Sequence, residues 1–170
     1  MLEQAFEALK AYDWGKDCKA LKPIDEAIVA SQDDAAARAS IEEQLVSIVS
    51  SDVSRAAKDV ACRKLKIVGS AAAVPALAAL LDDADASHMA RFALEGIPAD
   101  EAAQALRSAL SQVAGNLKIG VISSLGARQD EQSVADVAAL LSDSDAAVAR
   151  SAALALGAIR SAAAAQALAS

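Results

Sequence analysis

What most constrains the fold of this chain is an internal repeat. Leu80, Leu110 and Leu140 are spaced by 30 residues, and Leu94, Leu125 and Leu156 by 31. Gly96, Gly126 and Gly157 follow the second series at nearly the same interval, and Gly69 precedes Gly96 by 27. The stretch VPALAALLDDAD at residues 74–85 returns as VADVAALLSDSD at residues 134–145, two periods later. Such self-similarity, with apolar residues at helical spacing, means one helix pair stacked repeatedly so that neighbours bury each other's faces.

Composition narrows the choice further. Apolar residues make up 55% of the 170, but 46 of them are alanine and aromatics amount to only 2%. Alanine is the best helix former and a poor strand former, so an all-β fold is excluded. Leu, Ile and Val recur throughout, which argues against disorder. The longest apolar run, residues 71–81, is about 11 residues, and a membrane-spanning helix needs about 20. Residues 1–4 already open an amphipathic helix rather than a signal peptide.

The turn residues divide the chain into pairs. In the last full unit, helices are expected over residues 131–142, entered through Asp130 as N-cap, and over 146–159 after the acidic turn Asp143-Ser144-Asp145. Gly157 in the last turn would permit close packing or early termination. Earlier pairs are expected at 100–113 with 116–125, broken at Ala114-Gly115, and at 71–81 with 87–96, stopped by Pro98. Pro75 falls at a helix start, where a missing N–H is harmless. Weaker pairs follow from 41–49 with 53–68, closed by Gly69, and from 2–12 with 24–30. Residues 161–170 read as a first helix without a partner. Because residues 162–169 are nearly all apolar, unlike a polar capping repeat, more repeats or another domain are expected to follow. Phe6, Tyr12 and Trp14 make residues 1–40 a divergent N-terminal cap. Residues 41–69 then form a weak repeat, 70–160 three clear ones, and 161–170 the start of another.

Residues 134–157, from Val134-Ala135-Asp136-Val137 through the acidic turn to Leu154-Ala155-Leu156-Gly157, resemble a HEAT repeat of the short bacterial type first known from phycobilisome-linker lyases. The resemblance covers residues 70–160 well and 41–69 less closely. It implies an all-α, right-handed solenoid of about five HEAT-like helix pairs, the last incomplete, and a binding scaffold rather than an enzyme. Tyr12-Asp13-Trp14-Gly15 and residues 87–94 are similar to uncharacterised bacterial repeat proteins. Some of these are exported and carry further domains resembling sugar-acting hydrolases, which leaves export open here if a leader has been removed.

The residues themselves offer little chemistry. HEAT-type hydroxylases resemble this fold but place His-Glu pairs on successive helices, whereas this chain has one histidine, His88. A metal site needs several converging N, O or S ligands, so none is expected, and no cofactor either. No Gly-x-Ser-x-Gly context supports a catalytic triad, and Gly115–Gly120 lacks the spacing of a phosphate loop. Asp82, Asp83, Asp85, Asp143 and Asp145 recur between paired helices, as helix caps would. The net charge of −7 opposes nucleic acid. Arg55, Lys58, Arg63, Lys64 and Lys66 form one basic helix, read as a solvated face with ion pairs or an acidic partner's docking patch. Cys18 and Cys62 are read as buried free thiols, with a disulfide as the alternative and a reactive Cys62, its pKa lowered by Lys58 and Arg63, as a third reading.

The expected core comprises Leu77, Leu80, Leu81, Phe92, Leu94, Leu106, Leu110, Leu117, Val121, Leu125, Val137, Leu140, Leu141, Leu154, Leu156 and Ile159. The expected function is a non-catalytic interaction scaffold, monomeric on its own. By family resemblance, its second helices line a concave surface for a protein or peptide partner. On those helices Arg55, Arg63, Lys66, His88, Arg91, Glu95 and Arg150 are the candidate binding residues. Arg150 is alternatively read as bonding the acidic turns of neighbouring repeats. Rival readings are a rigid arm positioning an enzymatic domain outside these residues and, more remotely, a lyase or other enzyme subunit.

Overall fold

A computed structural model describes residues 1–169. Among them are eleven α-helices and no strand. The helices are α1 (Leu2–Lys10), α2 (Lys22–Ala30), α3 (Ala35–Val49), α4 (Arg55–Val68), α5 (Val74–Ala78), α6 (Ser87–Gly96), α7 (Asp100–Leu110), α8 (Gly115–Ala127), α9 (Val134–Ala139), α10 (Ala146–Ile159) and α11 (Ala162–Ala169). Short 3₁₀ turns lead into α2, α5 and α9, and another follows α9.

The helices form two layers. Within units α3 pairs with α4, α5 with α6, α7 with α8 and α9 with α10. Between units the second helices α4, α6, α8 and α10 pack in series, while α5 lies against α3 and α7, and α11 against α9. This is an α-solenoid, and its core is the seam between the layers. Leu45, Leu65, Leu77, Leu94, Leu106, Leu125 and Leu156 are all buried there. Ala57, Ala61, Ala90, Ala93, Ala102 and Ala152 are fully enclosed. Their small side chains let helix axes approach closely, which is how a chain with so few aromatics still excludes water.

The turn chemistry differs in detail from its sequence reading. Asp83 Oδ1 accepts from the backbone N–H groups of Asp85 (2.8 Å) and Ala86 (3.0 Å). Asp143 accepts from the N–H of Asp145 (2.9 Å), and Asp145 from that of Ala147 (2.8 Å). Asp145 therefore caps α10 as expected, whereas Asp83 closes the turn ahead of α6, whose N-cap position is held by Ala86 without a side-chain bond. Asp130 holds the N-cap position before the last first helix, yet its side chain makes no cap bond. It pairs with Arg107 instead. The expected helix over 131–142 is a 3₁₀ turn, six α-helical residues and another 3₁₀ turn. The one over 71–81 likewise starts as 3₁₀ and ends at Ala78. Conversely, α3 begins at Ala35, well before residue 41, because Asp34 accepts from the N–H groups of Ala36 and Ala37.

Several core assignments also change. Leu154 is 71% exposed, although its helix is as expected. Its place on α10 turns outward, one residue from the buried stripe Ala152, Ala155, Leu156 and Ile159. Leu80, Leu117, Leu140 and Leu141 are only partly buried, packed against the core. Phe92 is half-buried, beneath two cations rather than among leucines. Gly157 is not a packing glycine, since a Cβ there would meet nothing within 4 Å. Nor does it stop the helix, which ends at Arg160 in the left-handed conformation (φ 58°).

The cysteines are both free, but Cys18 is exposed and only Cys62 is buried. The reading of Cys62 as an activated thiol is overturned. Burial pushes its pKa up to about 12, Asp59 adds to the rise, and Lys58 opposes it only in part.

Candidate functional site

Three of the seven candidate residues lie on α4. Arg55 is exposed at its start and stands 3.9 Å from Asp85. Arg63 is 60% exposed and donates from Nε to Asp59 one turn earlier (2.8 Å). That bond, reinforced by the charge of Asp59, raises the guanidinium above its ordinary value. Lys64 on the same helix is different: it is buried and pairs across to Asp25 of α2.

Lys66 reaches toward the next repeat. Its Nζ lies 3.6 Å from the Phe92 ring centroid, and the Arg63 guanidinium carbon lies 5.6 Å away from the same ring. Two cations thus sit over the Phe92 ring, an arrangement favoured by the ring quadrupole. Gly96 makes room for it, because a Cβ there would fall 2.4 Å from Lys66 Cγ. His88, one turn before Phe92, is exposed. Arg63, Lys66, Phe92 and His88 therefore form one patch spanning α4 and α6.

Arg91 and Glu95, expected to point outward from α6, are instead turned into the contact with α8. Arg91 Nη1 donates to the Gly120 carbonyl (3.0 Å) and to Ser124 Oγ (3.3 Å). Ser124 Oγ in turn donates to Glu95 Oε1 (2.7 Å). A Cβ on Gly120 would fall 2.4 Å from Arg91 Cζ, so the guanidinium occupies the space glycine leaves. Burial lowers the Arg91 pKa and Glu95 opposes the fall. Arg91 Nε is buried without a partner.

Arg150 is exposed on α10 and makes no bond to an acidic turn, which overturns that alternative. The residue that bonds between repeats is one the sequence reading passed over. Arg128, at the end of α8, donates from Nη1 to the carbonyls of Leu94 (2.5 Å) and Ile97 (2.7 Å), and from Nη2 to that of Ala99 (3.3 Å). The Leu94 and Ile97 carbonyls lie at the end of α6, beyond the reach of its own N–H groups, while that of Ala99 also accepts from the Ala102 N–H of α7 (3.1 Å). Next to it, Gln129 Nε2 donates forward to the Ala158 carbonyl near the end of α10 (3.2 Å). Arg38 does the same for α4, bonding the Ile67 carbonyl. The available signal was positional: each of these polar residues lies about one repeat from the helix end it caps.

Grooves on the surface are shallow in chemistry. One, of about 620 Å³ between α1 and α3, is lined by Leu2, Glu3, Phe6, Glu7, Ser40 and Gln44. A second, about 440 Å³, lies between α2 and α4 beside Cys18, Lys22, Asp25 and Arg63. Among the described residues no group of three or more His, Cys, Asp or Glu could hold a metal ion. No helix of the described residues is long and apolar enough to cross a membrane.

No curated protein matches the chain. Residues 103–170 match the family model for HEAT repeats, from early in α7 through α11. Repeats of this kind commonly mediate protein–protein interaction. Residues 103–170 thus carry the HEAT-repeat pattern, and the helical layers form an α-solenoid along the chain.

Proposed function

We propose that the chain is a non-catalytic scaffold that takes a protein or peptide partner on the ridge of its second helices, centred on α4 and α6. The observation that carries this reading is the cation–aromatic patch of Arg63, Lys66 and Phe92 with His88 beside it. Arg63 keeps most of its surface in water although it is fixed by Asp59 and Phe92, so it is pre-oriented without being used up. A pre-oriented guanidinium loses little freedom on binding, and such groups dominate interface energetics. Against a net charge of −7, this local positive patch favours a partner segment carrying carboxylates. Arg55 extends the patch toward the start of α4; Arg91 and Glu95 support it from behind through Ser124, and Arg150 lies farther along the ridge. The repeat is read as the short bacterial type from the pattern at residues 134–157.

The second reading is a rigid arm, favoured by the bonds that Arg128 and Gln129 make to the repeats on either side. The two readings separate in a pull-down from extracts of the source organism, read by mass spectrometry. The comparison is the native chain against Arg63→Ala with His88→Ala, both exposed positions. A carboxylate-rich partner retained by the native chain and lost by the variant is the result expected for a scaffold. Identical recovery with both chains removes the ridge as the binding surface and leaves the arm.

A further inference from the structure

From α4 onward the second helices pack directly on one another: α4 on α6, α6 on α8 and α8 on α10. Between α2 and α4 this stacking is interrupted. Helix α2 packs on α1 and α3, and the groove of about 440 Å³ runs between it and α4. Lys64, buried on α4, spans the gap and donates from Nζ to Asp25 Oδ1 of α2. The groove lies within the solenoid, between helices of adjacent units.

Its floor is apolar and its rim cationic. Leu21 is buried, Val60 is partly buried, and both line it. Lys19, Lys22, Arg63 and Lys64 line it as well, against one carboxylate, Asp25, among the described lining residues. The methylene stems of such side chains add apolar wall while their charged heads stay in water. Neighbouring carboxylates hold these heads only loosely. Lys19 stands 4.0 Å from Asp17 and Lys22 stands 3.3 Å from Glu26, all four side chains being mostly exposed. Exposed pairs of this kind hold little energy against a competing carboxylate. Asp59 takes the Nε of Arg63 and leaves its Nη edge open. Arg63 both lines the groove and stands over Phe92, so groove and patch form one continuous surface.

We propose, resting on the scaffold reading above, that this groove seats an aliphatic side chain of an acidic partner segment, which continues past Arg63 onto the Phe92 patch. The aliphatic residue lies on Leu21 and Val60. A carboxylate on one side of it meets Lys19 and Lys22, and one on the other side meets the Nη edge of Arg63. An apolar anchor inside a charged rim gives a short segment affinity and register together. Charge alone attracts any acidic chain. The groove selects one with an apolar residue among its carboxylates.

Three fluorescein-labelled peptides, GEDLEDG, GEDSEDG and GQNLQNG, titrated with the full chain and followed by anisotropy, test this. GEDLEDG is expected to bind saturably, the serine peptide about fivefold more weakly and the amide peptide not at all. Bound GEDLEDG is also expected to slow alkylation of Cys18 by iodoacetamide, because that thiol is exposed and lines the groove. Cys62 is buried, so the rate reports Cys18 alone. Lys19→Gln with Lys22→Gln, both exposed positions, is expected to weaken GEDLEDG about fivefold without altering helix content. Absence of saturable GEDLEDG binding overturns the proposal. So does equal binding of GEDSEDG, or an unchanged Cys18 rate at saturation. If Arg63→Ala loses both acidic peptides alike while the lysine pair is indifferent, the groove is overturned and the Arg63–Phe92 patch stands. Identical recovery in the pull-down above removes that patch instead, whatever the groove holds.

Discussion

The guanidinium of Arg107 lies 2.6 Å from the Asp130 carboxylate, with only 20% and 9% of the two side chains exposed. It ties α7 to the residue that follows α8 and precedes the next repeat. The second Asp130 oxygen, Oδ2, is buried without a partner. Removing one member of a buried pair strands the other charge, so Arg107→Ala is expected to lower stability by about 3 kcal/mol in urea unfolding. Replacing both, as Arg107→Met with Asp130→Leu, should recover most of that loss. A double variant as unstable as the single one would mean that the pair itself, and not the stranded carboxylate, sets the cost.

Gln129 and Arg160 are the two non-glycine residues with positive φ among those described. At Gln129 the N–H bonds Gly126 O (3.0 Å) and the Asp130 N–H bonds Leu125 O (3.1 Å), which closes α8 in a Schellman turn. Left-handed backbone costs an ordinary residue roughly 1 kcal/mol, part of which glycine returns to the unfolded chain as entropy. Arg160→Gly should therefore raise stability by about 0.5 kcal/mol, seen as a higher Tm. Gln129→Gly should gain less or lose, because it also deletes the bond to Ala158.

Cys62 gives the chain an alkaline limit. Its thiol sits near pKa 12 when folded against 9.0 for the ordinary group, chiefly because burial disfavours the thiolate. Below about pH 9 both states hold the proton and the contribution to stability is complete. Above it only the unfolded chain ionises, so stability falls by up to about 1.4 kcal/mol per pH unit until the folded thiol titrates. Unfolding followed across that window should show a steeper decline for the native chain than for Cys62→Ala. Parallel slopes would place the alkaline sensitivity elsewhere. Alkylation of the folded chain should modify Cys18 and spare Cys62.

The helices of the repeat were legible because leucine spacing and caps are local. Helix α10 begins and ends where its acidic turn and Ile159 indicated, and α6 agrees as closely. Misreadings arose where a neighbour decides. Asp130 looks like a cap in sequence, but Arg107, 23 residues away, claims its carboxylate. Arg91 and Glu95 have the spacing of a surface pair, yet Ser124 on the next helix draws them inward. Leu154 reads as core by hydrophobicity, but the phase of its helix places it outside. Glycines carry the same ambiguity: Gly126 and Gly157 are equivalent by spacing, and only the presence of Ala155 tells them apart.

Arg128 and Gln129 are adjacent, and they bond in opposite directions along the solenoid. In a linear array whose units touch only their neighbours, melting ordinarily proceeds by peeling from the ends. Here the end of α8 holds the termini of the helices on both sides at once. Fraying that reaches α8 from either side must release both anchors within two residues of backbone. The boundary between melted and intact repeats should stall there, and hydrogen exchange from α6 through α10 should then proceed as one cooperative block.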